Sequence, residues 1–209
     1  MGWLSPGIEG YAAALMMDPR CRRFIEACLL LDLETTYDGR LRRIGAVLDG
    51  HTFERQGRFS VAAALADLDS FAAPAQRVLG HNLLGHDLPF LDGLAPHCQL
   101  LRKPVVDTLY LSPLAFPKNP YHPLIKHYKD DTLLREAESD PVADAQLAAR
   151  AFELEWEEFA RLTAQDDLAP AVFRYCLSAA PGRASGLGDA LAAAGAPRLG
   201  GEQALKAIE

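Results

Sequence analysis

The sequence predicts an α/β chain: a mixed β-sheet with helices on its faces, followed by a helical C-terminal extension. Three observations carry that expectation. Leu29-Leu30-Leu31-Asp32-Leu33 is an apolar run of strand length. Two further strand-like runs follow it at hairpin spacing, and after them helical and strand-like segments alternate before the chain becomes helical beyond Pro141.

Taken in order, residues 1–27 mix Gly and Pro with an Ala/Leu/Met segment from Tyr11 to Met17, which reads as a short lead-in helix. The first strand opens at Cys28 and ends in Asp32-Leu33-Glu34-Thr35-Thr36. Asp38-Gly39 is a turn signal, and Arg43–Leu48 and His51–Glu54 flank Asp49-Gly50, a pair suited to a tight hairpin. From Val61 to Phe71 the Ala/Leu pattern predicts a helix that ends before Pro74. Arg77–Gly80 is a short strand, Asp87–Leu94 the start of a helix, and Val105–Asp107 the last strand. A connection rich in proline (Pro113, Pro117, Pro120, Pro123) leads to the helical part. The acids between Asp130 and Asp167, set against only Arg135, Arg150 and Arg161, read as a solvated helix face. Gly182–Gly186 reads as a flexible link, and the Ala-rich remainder as weakly core-forming. The division expected is 1–27 lead-in, 28–160 main domain, and 161–209 a helical appendage or the opening of a following region.

Composition sets outer bounds. A hydrophobic share of 49% and a charged share of 23% are those of a water-soluble domain, and a net charge of −7 argues against a general nucleic-acid coat. Arg102, Lys103, Lys118, Lys126 and Lys129 nonetheless lie in a stretch with Asp107 as its one acid. That strip either holds phosphates or is a solvated loop; charge alone allows both. Cys21, Cys28, Cys98 and Cys176 show no short paired spacing, so free thiols in a reducing cytoplasm are expected. Charges at Asp18, Arg20, Arg22, Arg23 and Glu26 interrupt the N-terminal apolar region, so neither a signal peptide nor a membrane span is expected.

The chemistry begins with carboxylates in places where carboxylates are costly. Alternate strand residues share a face, so Asp32 and Glu34 stand on one side about 7 Å apart along the chain. A helix from Asp87 puts Phe90, Leu91 and Leu94 at i+3, i+4 and i+7, and so sets Asp87 on the apolar stripe, unless it serves as an N-cap. Asp140-Pro141 makes a good cap and first-turn pair, which leaves Asp144 without that role. Leu147, Ala148 and Ala151 follow Asp144 at i+3, i+4 and i+7, again placing an acid inward. Four inward carboxylates, Asp32, Glu34, Asp87 and Asp144, fit two Mg²⁺ or Mn²⁺ ions about 3.5–4 Å apart, a clamp for in-line attack on a phosphodiester.

Leu31–Thr36, His81-Asn82 with Asp87, and Asp144–Leu147 together resemble the three motifs of the DEDD superfamily of 3′–5′ exonucleases, over roughly residues 28–155. The resemblance implies a ribonuclease H-like fold and a metal-dependent nuclease acting on the 3′ ends of single-stranded DNA. RNA is the other substrate it allows, because no residue here reads the 2′-hydroxyl. It also implies that Thr35, Thr36 and Asn82 contact the terminal nucleotide and that Leu83 packs on its base. Val105–Leu109 and Ala115–Leu124 are similar to exonuclease-like domains that precede RecQ-type helicases, which implies a helicase region in a parent chain. The sequence departs from the superfamily at the general base. A histidine five residues before the last aspartate, or a tyrosine four before, is the pattern; Ser139 and Asp140 stand there. His127 and His122 are the candidates to replace it, and a catalytically weak fold that only binds or docks is the rival expectation.

Overall fold

The computed structural model describes residues 17–122, 124, 140–178 and 182–208. Five strands form one mixed sheet: β1 (Cys28–Thr35), β2 (Leu41–Leu48), β3 (His51–Arg55), β4 (Arg77–Gly80) and β5 (Val105–Asp107). The order across the sheet is β3-β2-β1-β4-β5. β1 runs antiparallel to β2 and β2 to β3, whereas β1, β4 and β5 are parallel. With helices on both faces this is the expected α/β architecture, consistent with a ribonuclease H-like layout.

The hairpin expected at Asp49-Gly50 is present, and both residues have positive φ (48° and 75°), as a two-residue turn matching the strand twist requires. The short strands β4 and β5 also fall where the sequence places them. Of the helix expected over 11–17 only Met17 is described, and it is not helical; the helix leading into β1 is α1 (Pro19–Glu26), capped by Asp18. The helix expected from Val61 is α2 (Val61–Ala72). Asp87 ends a single π-helical turn, Leu83–Asp87, and α3 (Leu88–Leu94) follows it; Asp87 makes no side-chain cap bond, and Leu94 is exposed rather than inward. Part of the expected proline-rich connection is helix α4 (Thr108–Ala115), started by the Asp107 carboxylate accepting the Leu109 N–H at 3.0 Å.

Period-two alternation divides β1 between two cores. Leu29, Leu31 and Leu33 pack with α2 and α3, while Cys28 and Leu30 face the long helix α5 (Pro141–Gln165). Phe24, Phe152 and Trp156 join α1 to α5, with ring centroids 5.4–6.0 Å apart. The boundary expected at residue 160 falls inside α5, which continues to Gln165. Beyond it α6 (Leu168–Ser178), α7 (Ser185–Ala194) and α8 (Gly201–Ile208) follow.

The Ala-rich C-terminal part contributes more core than its composition suggests. Leu187, Ala190 and Leu191 are buried with Phe152 and Phe159. Small residues permit this by close approach: a Cβ on Gly186 would come within 2.4 Å of the Val105 carbonyl of β5. Residues expected to form a link therefore make a short 3₁₀ turn and the start of α7. All four cysteines are free thiols, and burial first of all pushes Cys21, Cys28 and Cys98 up to about 12. Among the described residues no helix is long and apolar enough to cross a membrane.

Candidate metal centre

Asp32 and Glu34 continue the β1 face that carries Cys28 and Leu30, and so point to the α5 side of the sheet. Gly45 of β2 stands opposite Asp32 in the antiparallel register. A Cβ on Gly45 would lie 2.3 Å from the Pro141 carbonyl carbon and from the Val142 nitrogen. Glycine is therefore what lets the first turn of α5 rest on the sheet beside Asp32. Asp140 caps that turn as expected, its Oδ1 accepting the Val142 N–H at 3.0 Å and the Ala143 N–H at 3.3 Å.

One turn into α5, Asp144 is 9% exposed and points inward. Asp32, Glu34 and Asp144 each offer a carboxylate oxygen within 4.8 Å of the others, so the group could hold a metal ion. Three carboxylates at that separation repel one another, and a divalent cation with oxygen ligands offsets the repulsion. Placing Asp144 in the first turn also sets its charge at the positive end of the helix dipole.

Asp87, the fourth expected ligand, is not part of this three-residue group. It is 3% exposed, and its Oδ1 accepts the Leu33 N–H at 2.9 Å. β4 pairs with β1 only from Cys28 to Leu30, so beyond that point a side chain supplies what a neighbouring strand would. Burial pushes the Asp87 carboxyl up to about 6, against the opposing pull of His86, whose Nδ1 lies 3.6 Å away, and of the Leu33 amide.

The loop after β4 is held by the acid that closes β5. Asp107 is fully buried, and its two oxygens accept the N–H groups of Asn82 and Leu84, each at 2.8 Å. Burial raises its carboxyl above the ordinary value, against the pull of these amide bonds. Thr108 adds a bond to the Gly80 carbonyl at 3.3 Å and meets His81 Nδ1 at 2.8 Å. Asn82 is thereby fixed in the left-handed region at φ 62°. The signal available was Asp107 itself, an acid closing an apolar strand, the same anomaly that marks Asp32.

The remaining expected site residues are distributed unevenly. Thr35 follows the register shift at the end of β1, half-buried beside Glu34. The Thr36 hydroxyl serves the turn, accepting the Arg40 N–H at 3.0 Å and donating to Asp38 at 2.5 Å. Leu83, expected against a base, is wholly buried in the core with α2 and α3. His122 meets the Ser112 hydroxyl at 2.9 Å beside α4. His127 lies outside the described residues. No known protein family, curated protein or solved structure gives a significant match to the chain.

Proposed function

We propose that this chain is a metal-dependent nuclease domain that hydrolyses terminal phosphodiesters from the 3′ end of single-stranded DNA. The observation that supports it is the carboxylate group itself: Asp32 and Glu34 from the central strand and Asp144 from the first turn of α5, with oxygens within 4.8 Å of one another. Two Mg²⁺ or Mn²⁺ ions there would supply an acidified water and a stabilised leaving oxygen. Asp32, Glu34 and Asp144 would hold them. Asp87 holds the Leu33 amide, between the two β1 ligands, and in this reading would orient that end of the strand.

Asp32→Ala or Asp144→Ala is expected to lower Mn²⁺-dependent nucleotide release from a 3′-labelled oligonucleotide by more than ~100-fold, since even outer-shell partners of a metal account for about 10- to 100-fold. Unchanged release in both variants would refute the proposal.

A second reading is favoured by the committed state of the groups near the expected base. Asp140 is engaged in capping α5, and His122 is turned to Ser112. Among the described residues no histidine joins the three-carboxylate group. A fold that holds a 3′ overhang with little cleavage, as a module of a larger helicase-like protein, accords with this. Retention of the intact overhang in Mg²⁺ and in Mn²⁺ would select it over the first.

A further inference from the structure

Between α4 and α5 lies a cavity of about 580 Å³, within the range of small-ligand sites. Phe116, Tyr121, Leu124 and Leu147 give it apolar and aromatic walls, and Ser112, Asn119, His122, Arg150 and Glu155 bring polar groups to it. Glu155 is the anomaly. It is 1% exposed, and its Oε2 has no hydrogen-bond partner. Burial, with Asp107 nearby, pushes its carboxyl well above the ordinary glutamate value. Protonated, it would offer one O–H donor beside one carbonyl acceptor at the cavity wall. A buried polar atom left without a partner costs ~1–3 kcal/mol, which a ligand bearing the matching edge would recover.

We propose that this cavity binds a nucleobase, through paired hydrogen bonds from the Glu155 carboxyl to the base edge and packing of the ring against Phe116 and Tyr121. Adenine and cytosine each present an amino donor next to a ring-nitrogen acceptor, the complement of a neutral carboxyl. A hydrocarbon chain would leave Oε2 unsatisfied, and among the described residues Glu155 belongs to no group of three or more acidic, histidine or cysteine side chains that could hold a metal ion. Position supports the same ligand. Leu147 is three residues from Asp144 on α5, about 4.5 Å along the helix, so one wall of the cavity starts within a turn of that carboxylate. Exposed Arg150 stands at its rim, where a strand's phosphates would pass. The inference deepens the nuclease reading by giving the strand a base-holding site, yet base binding itself needs no metal.

The test is calorimetric titration of the full chain with 2′-deoxyadenosine and 2′-deoxycytidine in EDTA, with deoxyribose as the control sugar. Both nucleosides are expected to bind and deoxyribose not. Glu155→Gln, whose amide also donates and accepts, is expected to hold them within ~3-fold, and Glu155→Leu to weaken them by ~10-fold or more. Ala151→Trp, which fills the cavity from a half-buried position on α5, is expected to abolish binding. Absence of nucleoside binding by the unaltered chain overturns the proposal, as does equal affinity in Glu155→Leu and Ala151→Trp with melting curves showing both folded. Asp32→Ala separates the two readings: it is expected to bind nucleosides normally while losing cleavage. Nucleoside binding by a chain that never cleaves would support the cavity and refute the nuclease.

Discussion

Glu155 shows at the level of one residue how a chain can carry a destabilising group. Its pKa in the folded state is raised above the unfolded value of about 4.5, so its neutral form favours folding. That contribution is complete below the unfolded pKa and is lost as pH rises toward the folded one. Glu155→Leu is therefore expected to be more stable than the unaltered chain, by roughly 1–3 kcal/mol near neutrality. The gap in melting temperature should be narrower at about pH 4 than at about pH 8. A gap independent of pH would mean that Glu155 does not titrate as described. The sequence concealed this residue because it sits in an acid-rich run, where a solvated face is the ordinary reading. Only the packing of α4 against α5, a contact between distant segments, reveals it. Asp32, Glu34 and Asp144 were legible because each breaks a local apolar pattern, of period two in β1 and near 3.6 in α5.

At the level of elements, the approach of α5 to the sheet is decided by one missing methyl group. Gly45→Ala would put a Cβ into the Pro141–Val142 backbone, which has no flexible end to move aside. Overpacking of this kind costs about 1–3 kcal/mol, and relief requires α5 to lift from β2. Asp144 would then draw away from Asp32 and Glu34. The expected outcome is a lower melting temperature together with weaker Mn²⁺ binding, measured by titration followed by electron paramagnetic resonance. Destabilisation with Mn²⁺ affinity intact would separate the helix position from the metal site. Sequence periodicity predicted both elements but not their contact, because a glycine within a strand does not say which backbone will approach it. The same limit applies to Asp107: its role on the Asn82–Leu84 loop depends on the parallel pairing of β4 with β5.

For the molecule as a whole, two cores share one sheet, and the second is closed by helices from the C-terminal part. Leu187, Ala190 and Leu191 of α7 lie with Phe152 and Trp156 of α5. A chain ended after Gln165 would uncover that surface and the β5 edge against which Gly186 rests. The truncated chain is expected to lose its cooperative thermal transition by circular dichroism, whereas the full chain should melt in one step. A sharp melt of the truncated chain near the original temperature would show the C-terminal helices to be dispensable. The fold class was legible because strand alternation and turn chemistry are local. The packing of α7 was not, since alanine and glycine identify no partner until two backbones are seen to meet.

Where β4 stops, the Leu33 amide is held by the Asp87 carboxylate, not by another strand. That single bond makes the amide an indicator of where the carboxylate points. An ion that drew Asp87 away would expose the Leu33 hydrogen to exchange, so deuterium uptake there should rise on adding Mg²⁺ while its neighbours along β1 stay protected. An Asp87 that stays in place would leave uptake at Leu33 unchanged, and site occupancy becomes readable from one backbone proton without substrate or catalysis.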